Sequence, residues 1–302
     1  MGVGLVLRDR QGTMRMQSKR TAYAQRPQRR RVLLAKCAAV EPGSTVLVAG
    51  ATGGVGQLAT AKLLERGYKV RALTRKPDQT KQLFSNHPNL EVASADLRQP
   101  ETLAAVVAGV DAVCCCTGTT AFPSNRWEGN NGPRPTDYDG PHNLLKVCPK
   151  SLKRFVFVTS AGVERRTEMP WAILNTFGVL KFKRDSEMAL EASGLPWTIL
   201  RPSRLTDGPY TSYDLNTLLQ ATSGSRREVV LAASDSLFGE ASRIAVAEAI
   251  VQSLQSTATE NKAFAIASVE GEGPGQDAAK WQALFTACYP AGAGAARSAV
   301  SV

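Results

Sequence analysis

The residues best suited to do chemistry in this chain are glycines. Val46-Leu-Val-Ala-Gly50-Ala-Thr52-Gly53-Gly54-Val55-Gly56 reads as a β-strand running into a helix through glycines at 50, 53 and 56. In that spacing the first glycine allows a tight turn, the second lets backbone approach a pyrophosphate, and the third lets helix and strand pack closely. The helix N-terminus then offers unsatisfied N–H groups and partial positive charge to phosphate oxygens. A strand before and a helix after are the context that a dinucleotide-binding turn requires. Gly50, Thr52, Gly53, Gly54, Val55 and Gly56 are therefore expected to hold such a ligand.

The next strand chooses the dinucleotide. It ends in Leu73-Thr74-Arg75-Lys76, with no acid before Asp78. A carboxylate about 20 residues beyond the glycines would hold the ribose 2′-hydroxyl of NAD, whereas an Arg accommodates the 2′-phosphate of NADP. Arg75 and Lys76 point to NADP(H); the alternative is a pair of solvated residues at a strand end. Asp96, in Ala95-Asp96-Leu97, is expected either to accept from the adenine amino group or to N-cap a helix beginning near Pro100.

These residues need a scaffold. From Ser44 onward, short β-branched runs alternate with helical periodicity, which predicts βαβ units and a mostly parallel sheet. Strands are expected near 45–49, 69–74, 90–93, 112–116, 154–159, 197–200, 228–231 and 263–266. Amphipathic helices are expected around Val55–Leu63, Leu103–Val110, Ala247–Leu254 and Trp281–Cys288. Phe122–Pro135 reads as a long loop. Ligands in open α/β sheets bind beyond the carboxyl ends of the strands. That places Thr117 and Gly118 in a cofactor crevice. It also makes Tyr210 and Tyr213, after the sixth strand, either proton donors or packing residues.

Composition bounds the rest. Of 302 residues, 43% are hydrophobic and 21% charged, which excludes a collagen-like or wholly disordered chain. The net charge of +11 is concentrated: residues 1–40 hold ten Lys/Arg and one acid, Asp9, and so carry +9 of it. An Arg-rich, acid-poor segment without a long apolar run reads as an organelle transit peptide that is removed; the alternative is a basic tail binding nucleic acid or anionic surfaces. Val3–Leu7 is too short for the apolar core of a secretory signal, which needs about 7 residues or more. No uncharged apolar run reaches the roughly 18–20 residues of a membrane span. Cys37, Cys114, Cys115, Cys116, Cys148 and Cys288 show no C-x-x-C spacing and are expected as reduced core thiols. With only His87 and His142 available, no metal site is expected.

Further along, ordered motifs accumulate: Asp137-Tyr138-Asp139-Gly140-x-x-Asn143, Arg154-Phe-Val-Phe-Val-Thr159-Ser160-Ala-Gly162, Lys183-x-x-x-Glu187, Thr198-Ile-Leu-Arg201-Pro202 and Ile244-Ala-Val246-Ala247-Glu248. With the glycine turn, Arg75 and Ala95-Asp96-Leu97, these resemble the NmrA-like branch of the atypical short-chain dehydrogenases/reductases, which includes plastid NAD(P)-binding proteins. The resemblance covers roughly Ser44–Tyr289. It implies an α/β fold, a doubly wound parallel-sheet Rossmann domain over 44–289 with a small C-terminal substrate-side lobe; the Ala/Gly/Ser-rich composition of 290–302 separately predicts a disordered tail. The resemblance also implies cofactor contacts from Leu97, Thr159, Arg201 and Pro202.

Catalysis in that family uses a Ser after the fifth strand and a Tyr-x-x-x-Lys on the next helix. The Ser orients a carbonyl, the phenol donates a proton, and the Lys lowers the phenol pKa while holding the nicotinamide ribose. Ser160 and Lys183 match. The tyrosine does not: Val179 stands four residues before Lys183, and Phe177 four before Lys181. Lys183 is thus a ribose ligand or a solvated helix residue near Glu187, and Tyr210 is the candidate substitute donor.

Two functions follow as expectations. One is an NADP(H)-dependent reductase of a small carbonyl, enone or quinone-like substrate. The other is a non-catalytic NADP(H)-binding redox sensor or scaffold for an organelle protein complex. The expected location is the chloroplast stroma, with the mitochondrion as alternative, and no nucleic-acid partner is expected for the folded body.

Overall fold

The computed structural model describes residues 39–206 and 227–289. The first 38 residues, with most of the expected transit segment and Cys37, lie outside the described residues, as do 207–226, with Tyr210 and Tyr213, and the tail from 290.

Ten strands form one sheet among the described residues: β1 Thr45–Ala49, β2 Lys69–Thr74, β3 Leu90–Ser94, β4 Ala112–Cys115, β5 Arg154–Val158, β6 Trp197–Pro202, β7 Arg204–Thr206, β8 Arg227–Ala232, β9 Glu240–Ser242 and β10 Lys262–Glu270. Their order is β3-β2-β1-β4-β5-β6-β10-β9-β7, with β8 also paired to β10. The run from β3 through β6 to β10 is parallel. Order 3-2-1-4-5-6 is that of a doubly wound Rossmann sheet, whose switch point lies where the chain crosses from one side of β1 to the other. Here that point is the gap between β1 and β4.

Alternation along the strands feeds two cores. Val46, Val48, Cys114, Val156 and Val158 enter one face, while Leu47, Ala49, Val113, Cys115 and Phe157 enter the other. A strand buried on both sides must read as a continuous apolar run, as these do. The first face is covered by α1 (Gly54–Glu65) and by helices over Arg243–Gln255 and Ala278–Cys288. α2 (Pro77–Leu83) also packs on that first face through Leu83, and on the second lie α3 (Leu103–Val107), α4 (Gly140–Val147) and α6 (Val179–Ala192), while α5 (Trp171–Leu174) belongs to a third, smaller cluster with the start of α6, so the two later helices are α7 and α8.

All eight expected strands form, several of them one to four residues longer or shorter at an end than expected. The short strands β7 and β9 carry no alternation long enough to read; with β8 they build the substrate-side extension of the same sheet. Helix α3 stops at Val107 rather than Val110 because Gly109 takes φ +70° and turns the chain. The expected loop over 122–135 holds a short turn of helix at Asn125–Trp127, and a π-helical segment, Arg134–Asp139, leads from its end into α4. Among the described residues no helix is long and apolar enough to cross a membrane.

Candidate functional site

The glycine turn sits at the switch point. Gly50, with φ +83°, ends β1, and a Cβ there would come within 3.1 Å of the Cys116 carbonyl and the Thr117 nitrogen on β4's exit. Gly53 is the N-cap of α1 in extended conformation and makes no side-chain cap, so the first-turn N–H groups face outward without a partner from it. Gly56 is where helix crosses strand: a Cβ would fall 2.1 Å from the Gly50 carbonyl oxygen. These are the close approaches that a pyrophosphate turn needs.

A crevice of about 1140 Å³ opens from this turn across the carboxyl ends of β1, β4, β5 and β6. Of the residues expected there, Thr52, Gly53, Gly54 and Val55 line its floor. Arg75 and Lys76 line one end, and Thr117, Gly118, Thr159, Ser160, Lys183 and Pro202 the other. A narrower side pocket of about 150 Å³ shares Thr52, Thr74, Arg75 and Thr117 with the crevice and adds Gly50, Asp96, Leu97 and Arg98. The lining cations of the crevice are Arg75, Lys76, Arg126, Lys183, Arg204 and Arg243, and no Asp or Glu lines it among the described residues. A cationic crevice floored by glycines fits a dinucleotide.

At the end near Arg75 and the side pocket the polar groups are already clasped. Asp96 accepts from the backbone and guanidinium of Arg98, which holds its carboxyl below the ordinary range. Arg98 also donates to the carbonyls of Gly129 and Asn130, and Arg75 donates to Asn131 Oδ1 at 2.8 Å, so the 128–131 loop is tied over the side pocket. The expected N-cap role of Asp96 falls away, since Gln99 occupies that position.

At the other end, side chains from distant elements converge. Lys183 on α6 donates to Asp137 Oδ1 at 2.6 Å, and both are buried. The sequence explains the meeting. Pro141 has no N–H to give the Asp137 carbonyl four residues back, and Ser186 Oγ donates to that carbonyl instead at 2.7 Å. This pins the π-helical segment against α6. Burial pushes the Asp137 carboxyl up, against the pull of Lys183. The pair leaves room only for glycine at 118, where a Cβ would lie 2.9 Å from Lys183 Nζ. Lys183 is therefore not a solvated helix residue.

One turn along α6, Glu187 is fully buried and accepts from Thr159 Oγ1 at 2.6 Å and from Arg201 at 3.0 and 2.8 Å. Arg201, expected against the cofactor, instead gives its guanidinium to Glu187 and to Glu164. It is not among the residues lining the crevice. Its charge was visible in the sequence; the two acids that claim it were not. Ser160 lies on the crevice wall, its hydroxyl donating to the Ala161 carbonyl at 3.0 Å. Val179, in the place of the family tyrosine, is buried with Ala161, Val163, Trp171 and Leu180.

Sequence reasoning missed Asp137 as the partner of Lys183, Glu187 as the anchor of Thr159, and Arg243. The last lines the crevice from the start of α7, and its Nε would lie 2.9 Å from a Cβ on Gly54. The proline four residues after Asp137 was the one local signal available. The cysteine triplet behaves as core: burial raises the thiols of Cys114, Cys115 and Cys116, which disfavours thiolate chemistry even at Cys116 on the crevice wall.

Comparison with known proteins agrees with this geometry. The family described as NAD(P)H-binding matches residues 50–257. The chain is 31% identical over 221 residues to protein TIC 62, chloroplastic, of Pisum sativum, covering 67% of this chain but 39% of that protein. It is 30% identical over 281 residues to sanguinarine reductase of Eschscholzia californica, covering 80% of this chain and 95% of that protein. In fold it is similar to an oxidoreductase from Lactococcus lactis, with a TM-score of 0.61 at 18% identity over 80% of this chain and 95% of that one.

Proposed function

The chain belongs to the NAD(P)H-binding family, in the NmrA-like branch of the atypical short-chain dehydrogenases/reductases, and on that premise we propose that it is an NADP(H)-dependent reductase of a small carbonyl, enone or quinone-like substrate. The observation that carries the cofactor choice is the end of β2, where Arg75 and Lys76 line the crevice and no carboxylate does among the described residues. A 2′-phosphate is matched there by charge, and a bare ribose hydroxyl is not. NADP(H), when bound, supplies the hydride. The chain supplies the rest: N–H groups of the first turn of α1 and the Arg243 cation for the pyrophosphate, Lys183 for the nicotinamide ribose, Ser160 for the substrate oxygen. Asp137 accepts from Lys183 Nζ at 2.6 Å, so the lysine is placed before any ligand arrives. The role of proton donor is left to Tyr210, from the segment after β7.

The name of the Eschscholzia californica relative, sanguinarine reductase, supports the reductase reading. That of the Pisum sativum relative supports a chloroplast; on this reading residues 1–40 are the transit segment, 44–289 the working domain and the stroma the compartment.

Titration of the full chain with NADPH and NADH tests the cofactor. NADPH should bind at least about tenfold tighter, and Arg75→Ala should remove most of that difference, as a charge-assisted phosphate contact would. Equal affinities would overturn the NADP assignment. NADPH oxidation across ketones, quinones and enones tests the reaction.

A second reading is favoured by one observation: Val179 is packed into an apolar cluster where a proton-donating phenol is wanted. On that reading the protein is an NADP(H)-binding sensor or scaffold. Bound NADPH without turnover on any substrate, together with partner capture that differs between NADPH and NADP⁺, would select it.

A further inference from the structure

The substrate end of the crevice is walled unlike the rest. Pro170, Trp171, Leu174, Phe238 and Ala121 line it beside Ser160. Trp171 is locked in place: its six-membered ring lies where a Cβ on Gly162 would come within 2.2 Å, and Phe238 stacks on it at 5.3 Å and 28°. Ala121 and Leu174 pack onto the same cluster. They carry it to a second aromatic group, in which Phe177 meets Phe122 edge-on at 6.3 Å and Trp127 at 5.5 Å.

Trp171 is buried, but three of the rings around it are not core. Phe238 is 55% exposed, Phe122 45% and Phe177 44%. Of the seven large hydrophobics exposed among the described residues, five (Phe122, Met169, Ile173, Phe177 and Phe238) belong to this rim or adjoin it in the chain. A contiguous apolar exposure of this kind marks a binding surface. Arg126, next to Trp127, lines the same crevice, is exposed and forms no ion pair among the described residues. Arg165, by contrast, is spent on the Trp171 and Phe238 rings at 5.1 and 4.4 Å.

We propose that this end binds a flat, conjugated carbonyl compound that carries a carboxylate, with the exposed faces of Phe238 and Phe177 contacting the ring system and Arg126 pairing with the acid. Stacking rewards extended π-surface over a compact aliphatic ring of the same polarity. Arg126, an exposed cation without an ion pair among the described residues, in a crevice lined by no acid among them, selects a negative charge over a neutral analogue. The proposal rests on the reductase reading and narrows its substrate.

The test is calorimetric titration of the full chain, loaded with NADP⁺, by three probes: 9-fluorenone-2-carboxylate, neutral 9-fluorenone and cyclohexanecarboxylate. The expected order is fluorenone carboxylate tightest, fluorenone weaker, and cyclohexanecarboxylate without measurable binding. Phe238→Ala and Phe177→Ala, at exposed positions that leave folding intact, should each weaken both fluorenones about threefold or more. Arg126→Gln should weaken only the carboxylate, by about tenfold, and leave NADP⁺ affinity unchanged. Equal binding of cyclohexanecarboxylate, or fluorenone affinities untouched by both aromatic substitutions, would overturn the proposal. So would an Arg126→Gln effect on NADP⁺ instead of on the acid, which would assign that cation to the cofactor. Failure of the chain to bind NADP⁺ would instead sink the cofactor reading, and titrating the unloaded chain would then decide the aromatic site separately.

Discussion

The two ends of the crevice are built by different means. The pyrophosphate end is made of backbone: Gly50, Gly53 and Gly56 bring strand and helix so close that a Cβ on Gly56 would sit 2.1 Å from a carbonyl oxygen. The proposed catalytic end is made of side chains that offset their desolvation against one another, Lys183 with Asp137 and Arg201 with Glu187, from positions 46 and 14 residues apart. A backbone site tolerates almost nothing but glycine at a few positions and little depends on its neighbours. A side-chain site depends on every partner, because a buried charge that loses its counter-ion keeps its desolvation penalty.

The sharpest way to break that contrast is Glu187→Ala. It removes the fully buried carboxylate shared by Thr159, Arg184 and Arg201. Although Glu164 still reaches Arg201, the loss expected for splitting a buried pair is about 3–5 kcal/mol in urea unfolding. A loss below about 1 kcal/mol would show that the network is not what holds the catalytic end. Gly56→Ala probes the other side. Overpacking against backbone costs about 1–3 kcal/mol, and here the displaced helix start should also abolish NADPH binding, read by cofactor fluorescence. Retained affinity would mean that the turn is softer than its geometry.

The same difference decides what was legible in the sequence. Glycines 50, 53 and 56 could be read because each is required by its own local geometry. The parallel sheet could be read because strands such as β1 and β5, buried on both faces, must be apolar throughout. Asp137 could not be assigned, since its role depends on Ser186 and Lys183 on another helix. Arg201 was misplaced for the same reason: a lone Arg at a strand end looks like a cofactor contact until Glu187 and Glu164 are seen beside it. The short strands β7 and β9 owe their existence to β10 and to each other, not to their own composition.

Val179→Tyr tests whether the catalytic end is a conventional site lacking one residue. If so, the phenol would find space and add proton transfer. The structure expects otherwise, because Val179 is packed among Ala161, Val163, Trp171 and Leu180. Forcing in a larger ring should cost about 1–3 kcal/mol of stability and yield no gain in NADPH oxidation. A stable, faster variant would show that this end is degenerate and not differently built.

The smallest effect concerns the ion pair on the side of Arg75, Asp96 with Arg98. Hydrogen bonds from Arg98 lower the Asp96 pKa in the folded chain. A carboxyl with a lowered folded pKa stabilises above its unfolded pKa, and that contribution is lost as pH falls through the folded value. The wild type should therefore exceed Asp96→Asn in unfolding free energy at pH 7 by less than about 1 kcal/mol, because the pair is partly solvated. The difference should shrink below about pH 4, where carboxyls protonate. A gap that persisted unchanged at pH 3 would mean that Asp96 contributes through its shape and neutral hydrogen bonds alone. That end would then owe nothing to an ion pair, and the contrast with the buried pairs around Lys183 and Glu187 would be complete.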